Sequence, residues 1–341
     1  MNDWPNVGVA GARGVVGGVF LSILSDAGLP PSHLRAFGHE AGTIGYGDVE
    51  VPVSSPDDEA MDELDVLFCA TDAATSRELV AGPARDVRLI VDNSSAFRLD
   101  PDVPLVVPEA NADALRSRGN VVANPNCTTA ACAVVLAPIA REAGLVSVDI
   151  ASYQAVSGAG RAGLDAFGAE RGSEDREQAA ASPFHGRIAD SVVPQIDVMH
   201  DDGWTGEEAK IHAELRKILG LAGLDVAATA VRVPVHTGHS VALHFRTARP
   251  TTVEALEAAL RRAPGLEYRP ADGSERHPMP LDVDGRDEVI VGRLRAVPER
   301  PNGFACFLAS DNLRKGAALN AIQVAACADP QRFGQLLPPA R

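Results

Sequence analysis

The segment VGVAGARGVVGGVFLSILSDA, residues 7–27, decides the fold class. Its first four residues are apolar and predict a short buried strand, and residues 16–27 predict an apolar helix. Between them lies GARGVVG, residues 11–17, a turn with GxxGxxG spacing. Glycines let a backbone approach a pyrophosphate, and a helix start favours its charge. The context indicates a dinucleotide-binding turn, although the same glycines also suit an ordinary tight turn.

Strands and helices alternate along the first part of the chain. Apolar strands are predicted at 34–38, 65–71 and 89–91, with a helix beginning near 74–76. This alternation predicts a parallel, doubly wound sheet that binds its ligand at the carboxyl ends of the strands. Glu40 follows the second strand, where a ribose-binding carboxylate is expected, but a solvated loop carboxylate suits the position equally well. Arg98 lies in a loop after a later strand, as an anion-binding residue or a surface residue.

The segment VVANPNCTTAACAVVLAPI, residues 121–139, runs from a strand through a polar turn into an apolar helix. Pro125 disfavours helix for the residue before it, and the hydroxyls of Thr128 and Thr129 are expected to serve the helix start. Cys127 lies at this start, where backbone N–H groups and the helix dipole lower the pKa of a thiol. Its position fits a nucleophile, and it equally fits a small buried apolar residue.

The second part of the chain changes pattern. Strands are predicted at 146–155, 226–235, 239–246, 289–297 and 304–309, and helices at 205–219, 252–262 and 315–328. Thr205 and Glu208 have the spacing of a capping box. The polar stretch 168–183 is expected to be a surface excursion. The whole chain therefore predicts an α/β fold: a doubly wound Rossmann-type dinucleotide-binding domain and an α+β substrate domain with a mixed sheet.

Composition limits the classes of function. The 341 residues carry a net charge of −15, which argues against nucleic acid or an anionic membrane as the main partner. The five cysteines form no CxxC pair, so neither a disulfide framework nor a metal site is expected. The N-terminus lacks the pattern of a signal peptide, and no apolar run reaches about 18 residues. We expect a cytoplasmic protein.

A thiolate combined with a nicotinamide cofactor suggests aldehyde oxidation through a covalent thioester. Such chemistry needs an acid/base near the sulfur and a polar group that orients the carbonyl. His239, on a turn after Gly238, suits the first role, although a structural or surface histidine is the commoner case. Gln154, at a strand end, suits the second role or is an ordinary polar residue of the strand.

Several longer motifs resemble the aspartate-β-semialdehyde dehydrogenase family over nearly the whole chain. They are GARGVVG (11–17), VDNSSAFRLDPDVPLVVPEAN (91–111), NPNCTT (124–129), YQAVSGAG (153–160), VPQID (193–197), EEAK (207–210) followed by RKILG, RVPVHTGHS (232–240) and DNLRKGAALNAIQ (311–323). The resemblance implies reduction of L-aspartyl β-phosphate to aspartate β-semialdehyde, on the branch towards lysine with diaminopimelate, methionine and threonine. It also implies a homodimer, with a dinucleotide-binding domain at 1–126 with 312–341 and a substrate and dimerisation domain at 127–311.

The resemblance assigns roles to individual residues. For catalysis it implies Cys127 as the nucleophile, His239 as the general acid/base and Gln154 as the group that orients the thioacyl intermediate. For the substrate it implies Arg232 on the α-carboxylate, Glu207 on the α-ammonium group, Arg98 and Lys210 on the phosphate, and Asn126 beside the phosphate or the oxyanion. Glu207 and Lys210 also have the spacing of a surface ion pair on a helix. For the dinucleotide it implies Gly11, Arg13, Gly14, Val15, Val16, Gly17, His39, Glu40, Ser157, Gly158 and Asn312.

One region departs from the family pattern. Where the family commonly has Ser-x-Arg-Ser-Ala-Gly to bind the 2′-phosphate of NADP, this chain has FGHEAG, residues 37–42. Two unit charges about 4 Å apart near a protein surface interact by up to roughly 4 kcal/mol, so Glu40 would disfavour a 2′-phosphate. We therefore expect use of NAD as well as NADP, or a preference for NAD. Arg13, where the family commonly has threonine, offers a different cation for the phosphate.

Two alternatives remain open on the sequence. The related N-acetyl-γ-glutamyl-phosphate reductases share this chemistry on a longer substrate, but EEAK and RVPVHTGHS resemble the substrate-binding motifs of the semialdehyde enzymes. A non-catalytic paralogue that acts as a binding partner is the second alternative, and the presence of both Cys127 and His239 argues against it.

Overall fold

The computed structural model describes residues 4–56, 61–172, 182–270 and 277–339. The chain forms two compact units, one from the residues up to Pro125 together with those from Ala317 onward, the other from Asn126–Gly316. Each unit has its own sheet, a largely parallel one in the first and a mixed one in the second. This confirms the predicted fold class.

The first unit contains a seven-stranded sheet in the order β3-β4-β2-β1-β5-β6-β7. All neighbouring strands are parallel except β3 and β4. The strands are β1 Val7–Ala10, β2 Leu34–Phe37, β3 Gly42–Tyr46, β4 Val49–Ser54, β5 Val66–Cys69, β6 Leu89–Asp92 and β7 Val121–Ala123. The antiparallel pair β3 and β4 was not predicted, because its exposed, partly polar residues lack a strong apolar run.

Helices cover the two faces of this sheet. They are α1 Val15–Asp26, α2 Ala73–Ala81 and α3 Pro108–Asn111, with 3₁₀ turns at Pro31–His33 and Ala112–Ser117. Apolar residues of α1 pack on the strands, and Phe20 stacks on Phe68 with ring centroids 4.9 Å apart. From the end of the chain, α9 Leu319–Ala328, α10 Pro330–Phe333 and a 3₁₀ turn at Gly334–Leu336 join the same core.

The second unit contains a six-stranded sheet in the order β11-β12-β13-β10-β8-β9. Its strands are β8 Ser147–Gln154, β9 Asp225–Arg232, β10 His239–Arg246, β11 Leu266–Arg269, β12 Val289–Ala296 and β13 Gly303–Ser310. The pairs β8·β9 and β11·β12 are parallel and the others antiparallel, so the sheet is mixed as predicted. Its helices are α4 Cys127–Ala143, α5 Gly160–Arg171, α6 Gly206–Leu219, α7 Val253–Arg262 and α8 Pro280–Val283, with a 3₁₀ turn at Val156–Ala159.

Three local predictions about the second part of the chain need correction. The stretch 168–183 begins as helix and not as an excursion, because α5 continues to Arg171 and buries Glu170; residues 173–181 lie outside the described part. The last long helix begins with a π-helical turn, Arg314–Ala318. The cap of α4 is the side chain of Asn126, which accepts hydrogen bonds from two backbone N–H groups, and not a threonine hydroxyl. In contrast, the capping box at the start of α6 is confirmed.

The described residues contain no membrane-spanning helix, no metal-binding cluster and no disulfide. No helix among them is long and apolar enough to cross a membrane. Their histidine, cysteine and carboxylate side chains form no group that could hold a metal ion. All five cysteines lie in the described part, and no disulfide joins them.

Two adjacent glycines of α1 provide a matched test of the packing in the glycine turn. A Cβ at Gly17 would lie 2.2 Å from the carbonyl oxygen of Gly11, whereas a Cβ at Gly18 would meet nothing within 4 Å. We expect Gly17→Ala to destabilise the unit by about 2 kcal/mol or more through overpacking. Gly18→Ala should be neutral or stabilising by up to about 1 kcal/mol, because alanine favours helix over glycine. Urea unfolding followed by circular dichroism measures both, and equal midpoints for the two variants would contradict the close contact.

Candidate active site

The sulfur of Cys127 lies at the N-terminus of α4 and next to an imidazole. Cys127 is the first residue of this 17-residue helix and is half-buried. Its Sγ lies 3.3 Å from Nε2 of His239, the first residue of β10. A helix N-terminus and a neighbouring hydrogen-bond donor both favour the thiolate form of a cysteine.

The backbone sets the tautomer of His239. The N–H of Ala155 donates to Nδ1 of the ring at 3.0 Å, so Nδ1 carries a lone pair and a neutral ring carries its hydrogen on Nε2. Nε2–H therefore donates towards the sulfur of Cys127. His239 is 1% exposed, and its burial, reinforced by the charge of Arg232, holds its pKa well below the usual range. The site thus pairs a neutral donor with a sulfur at the N-terminus of a helix.

Asn126 fixes the turn that precedes the cysteine. Its Oδ1 accepts hydrogen bonds from the N–H groups of Thr128 and Thr129, at 3.0 and 3.1 Å. Its Nδ2 donates to Glu207 at 2.8 Å, and its own backbone N–H donates to the buried carboxylate of Glu214 at 2.7 Å. Asn126 also lines the pocket described below. Glu214 was not predicted, although its position seven residues after Glu207 places both carboxylates on one face of α6.

Gln154 and Arg232 end the parallel strands β8 and β9 side by side. Gln154 donates to Glu207 at 3.1 Å and to the hydroxyl of Ser152 at 3.2 Å. Arg232 donates from Nη1 to the carbonyl of Ala155 at 2.7 Å, while its buried Nε–H finds no hydrogen-bond acceptor among the described residues. Burial lowers the pKa of Arg232, and the nearby Glu207 opposes this shift. A buried guanidinium with an unsatisfied N–H edge is suited to binding a carboxylate.

Lys210 lies near two carboxylates. Its Nζ lies 2.5 Å from Oδ2 of Asp197 and 3.9 Å from Oε2 of Glu207. Lys210 therefore forms the expected ion pair with Glu207, but its contact with Asp197 is shorter. The sequence offered Asp197 only as the last residue of the VPQID motif.

One pocket of about 590 Å³ collects most of these side chains. Of the candidate site residues, Asn126, Cys127, Gln154, Gly158, Glu207, Lys210 and Arg232 line it. Phe184, His185 and Gln195 line it as well and were not predicted. The ring of Phe184 lies 5.9 Å from the guanidinium carbon of Arg232, within the range of a cation–π contact. The pocket therefore combines a cysteine sulfur with both cationic and anionic side chains.

Ser157, Gly158 and Asn312 lie around the segment that carries Gly238 and His239. Asn312 accepts a hydrogen bond from the backbone N–H of Gly238 at 2.9 Å and donates to the hydroxyl of Ser157 at 3.0 Å. A Cβ at Gly158 would lie 2.7 Å from Nη1 of Arg232 and 3.3 Å from Cε1 of His239. Only a glycine leaves this side of the imidazole open.

The glycine turn lies in the first unit and is tied to the end of β2. The N–H groups of Gly11 and Ala12 both donate to the carbonyl of Phe37, at 3.0 and 3.1 Å. Gly11 has φ +77°, and a Cβ there would lie 2.4 Å from the carbonyl oxygen of Ala70. Helix α1 begins at Val15 after Gly14, which provides no side-chain cap. The backbone N–H groups of Val15 and Val16 thus remain for a phosphate, as the sequence suggested.

The region that departs from the family pattern lies beside this turn. His39 and Glu40 are exposed, and His39 lines a small apolar pocket with Gly11 and Phe37. The guanidinium of Arg13 reaches across to Gly42, where a Cβ would lie 2.7 Å from its Nη2. A cation and a carboxylate therefore both flank the loop that follows β2.

Arg98 also belongs to the first unit. Its guanidinium donates to the carbonyl of Asn124 at 2.9 Å and to the carbonyl of Asn93 at 2.7 Å. The side chain is 8% exposed, so these bonds hold it at the carboxyl ends of β6 and β7. This is the edge of a parallel sheet at which ligands bind.

Family models match both units. The model described as "Semialdehyde dehydrogenase, NAD binding domain" matches residues 6–118, and "Semialdehyde dehydrogenase, dimerisation domain" matches residues 136–315. The chain belongs to the semialdehyde dehydrogenase family. The resemblance found in the motifs is thereby confirmed.

Named relatives of this family cover nearly the whole chain. Aspartate-semialdehyde dehydrogenase of Streptomyces akiyoshiensis is 41% identical over 337 residues, with 94% of this chain and 97% of the relative covered. That of Aquifex aeolicus is 36% identical over 327 residues, with 94% and 96% covered. The solved structure of aspartate semialdehyde dehydrogenase II complexed with ASA from Vibrio cholerae has a TM-score of 0.90 and 33% identity, covering 96% of this chain and 98% of that one.

The tautomer of His239 leads to a prediction about pH. Because the folded protein keeps the ring neutral with hydrogen on Nε2, its nitrogen NMR signals should show that single tautomer at neutral pH and still when the pH falls below the ordinary histidine pKa. The unfolded chain takes up a proton near pH 6.5, so the stability contributed by neutral His239 should be lost as the pH falls through that value. Nitrogen-15-labelled histidine measures the tautomer, with His239→Asn to assign the signals. A ring protonated on Nδ1 at pH 7 would contradict the assignment.

Proposed function

We propose that the protein is an NAD(P)-dependent, phosphorylating aspartate-semialdehyde dehydrogenase, which reduces L-aspartyl β-phosphate to L-aspartate β-semialdehyde through a thioester on Cys127. One observation carries the proposal: the sulfur of Cys127 lies 3.3 Å from an imidazole donor in a pocket that also contains Arg232 and Lys210. The names of the relatives support the same substrate. The reaction belongs to the biosynthesis of lysine with diaminopimelate, methionine and threonine.

Cys127 begins the reaction. Its thiolate attacks the acyl carbon of the aspartyl phosphate, the C–O bond to phosphate breaks, and phosphate leaves with that electron pair and takes up one proton from solvent. A thioester remains on the sulfur. When bound, the reduced nicotinamide supplies the hydride that converts this thioester into a thiohemiacetal. The C–S bond then breaks, the semialdehyde leaves, and the sulfur returns as a thiolate stabilised by His239.

His239 is the acid/base of the proposal, and its geometry supports a specific form of that role. A neutral imidazole that donates from Nε2 can stabilise first the thiolate and then the oxygen that becomes negative at the former carbonyl. Gln154 lines the same pocket as Cys127, and its side-chain amide would hold the acyl group there.

The substrate's fixed charges have matching groups. Arg232 offers its unsatisfied Nε–H edge to the α-carboxylate, and Glu207, already a hydrogen-bond acceptor for Asn126 and Gln154, faces the α-ammonium group. Lys210 and Arg98 would bind the phosphate. The motifs that carry Glu207, Lys210 and Arg232 resemble the substrate-binding motifs of the semialdehyde enzymes. This resemblance favours aspartyl phosphate over N-acetyl-γ-glutamyl phosphate as the substrate.

The glycine turn fits a dinucleotide. Gly11 and Gly17 leave room that a Cβ would fill, and the first N–H groups of α1, at Val15 and Val16, have no side-chain cap. We assign the pyrophosphate to residues 11–17, the adenosine ribose to His39 and Glu40, and the nicotinamide end to Ser157, Gly158 and Asn312. The domain boundaries of the proposal are 1–126 with 312–341 and 127–311. The enzyme would act in the cytoplasm as a homodimer formed through the dimerisation domain.

Substitution of the nucleophile and its neighbour tests the chemistry. We expect Cys127→Ala to abolish phosphate-dependent reduction of NAD or NADP with aspartate semialdehyde, and no thioester to accumulate on the protein by mass spectrometry. His239→Ala should lower kcat by about 10²–10⁴-fold with little change in KM, because the donor acts mainly in the transition state.

Cys132→Ala is the matched control, since Cys132 is buried on the same helix and outside the pocket. It should retain full activity. An unchanged kcat in His239→Ala would remove His239 from the mechanism. Activity with N-acetyl-γ-glutamyl phosphate but not with aspartyl phosphate would overturn the substrate assignment.

The residues beside the ribose site make a separate prediction about cofactor choice. Glu40→Ser removes a carboxylate and should tighten binding of adenosine 2′,5′-bisphosphate about tenfold or more relative to 5′-AMP; Arg13→Thr removes a cation and should weaken it. Isothermal titration with these two nucleotides isolates the 2′-phosphate from the rest of the cofactor.

Arg35→Gln is the charge-matched control for the second variant, because Arg35 lies on β2 and pairs with Glu63. It should leave the ratio of the two affinities unchanged. Steady-state kcat/KM for NAD and NADP then gives the preference of the enzyme. A strong NADP preference that is unaltered in Glu40→Ser would contradict the role of Glu40.

A further inference from the structure

Asp197 is a carboxylate of the pocket that has no part in the proposed chemistry. Its Oδ2 accepts from Nζ of Lys210 at 2.5 Å, and both side chains line the pocket. They are 37% and 30% exposed, so a ligand in the pocket can reach both.

The backbone holds Asp197 in an unusual conformation. Its φ of +70° lies in the left-handed region, which costs a non-glycine residue about 1 kcal/mol or more. The N–H of Val198 donates to Oδ1 of Asp197 at 2.8 Å, and the carbonyl of Val198 accepts from the N–H of Gly206 at 2.8 Å. These bonds tie the segment to the start of α6, the helix that carries Lys210. The carboxylate is thus held at the lysine.

The carboxylates around Lys210 leave little net positive charge for an incoming anion. One ammonium group serves two carboxylates, Asp197 at 2.5 Å and Glu207 at 3.9 Å. Burial alone would raise the pKa of Asp197, but the hydrogen bond from Lys210 lowers it below its usual value, so the carboxylate is charged at neutral pH. A phosphate that binds Lys210 must therefore draw it away from Asp197 or accept the repulsion of that carboxylate.

We propose that Asp197 is a positioning residue that competes with phosphate for Lys210 and so promotes phosphate release. The inference rests on the proposed function, which assigns Lys210 to the phosphate. In the biosynthetic direction phosphate is a product, and a built-in competitor shortens its stay in the pocket. The same competition keeps the ammonium group in the pocket and directed at the phosphate position when no phosphate is bound.

Asp197→Asn tests this competition with little disturbance of the backbone, because asparagine also tolerates the left-handed conformation. The full-length protein is titrated with orthophosphate by calorimetry. Coupling across a partly exposed ion pair predicts that the Kd for phosphate falls about threefold to tenfold. The KM for phosphate in the oxidative direction should fall by a similar factor. A purely structural role for Asp197 would instead weaken binding.

Two further variants separate the causes. Asp190→Asn removes a carboxylate that also pairs with a cation, Arg187 at 2.8 Å, but does not line the pocket, and it should leave the Kd unchanged. In a Lys210→Met background, which should itself weaken phosphate binding, Asp197→Asn should have at most about a twofold effect.

The outcomes distinguish this inference from the proposed function. Unchanged or weaker phosphate binding in Asp197→Asn, with Lys210→Met clearly weakened, would overturn the competition and leave the phosphate assignment intact. Phosphate binding unaffected by Lys210→Met would overturn both. Phosphate-dependent oxidation of aspartate semialdehyde by the unaltered protein tests the proposed function by itself.

Discussion

The active site depends on the hydrogen bonds of one residue, Asn126. Its side-chain oxygen caps the helix that starts at Cys127, its side-chain nitrogen binds Glu207, and its backbone N–H binds Glu214. A single side-chain amide thereby links the turn before Cys127 to the helix that carries Glu207. Glu214 and Asn126 are both buried. Replacement of Glu214 would leave the backbone N–H of Asn126 without this acceptor, and an unsatisfied buried polar group costs about 1–3 kcal/mol. This cost is why the cysteine has one defined position relative to α6.

The second constraint is electrostatic. Arg232 and His239 are close enough for the guanidinium to oppose a charge on the ring, and the Ala155 N–H occupies the nitrogen that would otherwise take the proton. Burial, reinforced by the charge of Arg232, thus lowers the pKa of His239 and keeps the ring neutral. Gly158 is the counterpart of this arrangement, because a side chain there would collide with the arginine and crowd the ring. The neutral ring of His239, the neighbouring guanidinium of Arg232 and the space at Gly158 all result from the same packing.

The sequence predicts features that depend on neighbours in the chain. The strand and glycine turn at 7–17 and the capping box of Thr205 and Glu208 are local, and the structure contains them. The cap of α4 is local too, because Asn126 immediately precedes the helix and asparagine is a favoured N-cap residue, but the prediction gave this role to threonine hydroxyls. The sequence could not show that Asn126 also binds Glu207, 81 positions away. The tautomer of His239 depends on an N–H that is 84 positions away. The ion pair of Asp197 requires a left-handed aspartate that no local pattern indicates.

Net charge does not explain how this protein would hold an anionic substrate. The chain has a net charge of −15, and its pocket contains Glu207 and Asp197 beside Arg232 and Lys210. Selectivity must come from how each cation is held. Arg98, in the other unit, donates hydrogen bonds to the main-chain carbonyls of Asn124 and Asn93. Lys210 is held by carboxylates, which neutralise it. An anion that binds Lys210 must therefore displace a carboxylate or share the ammonium group with it.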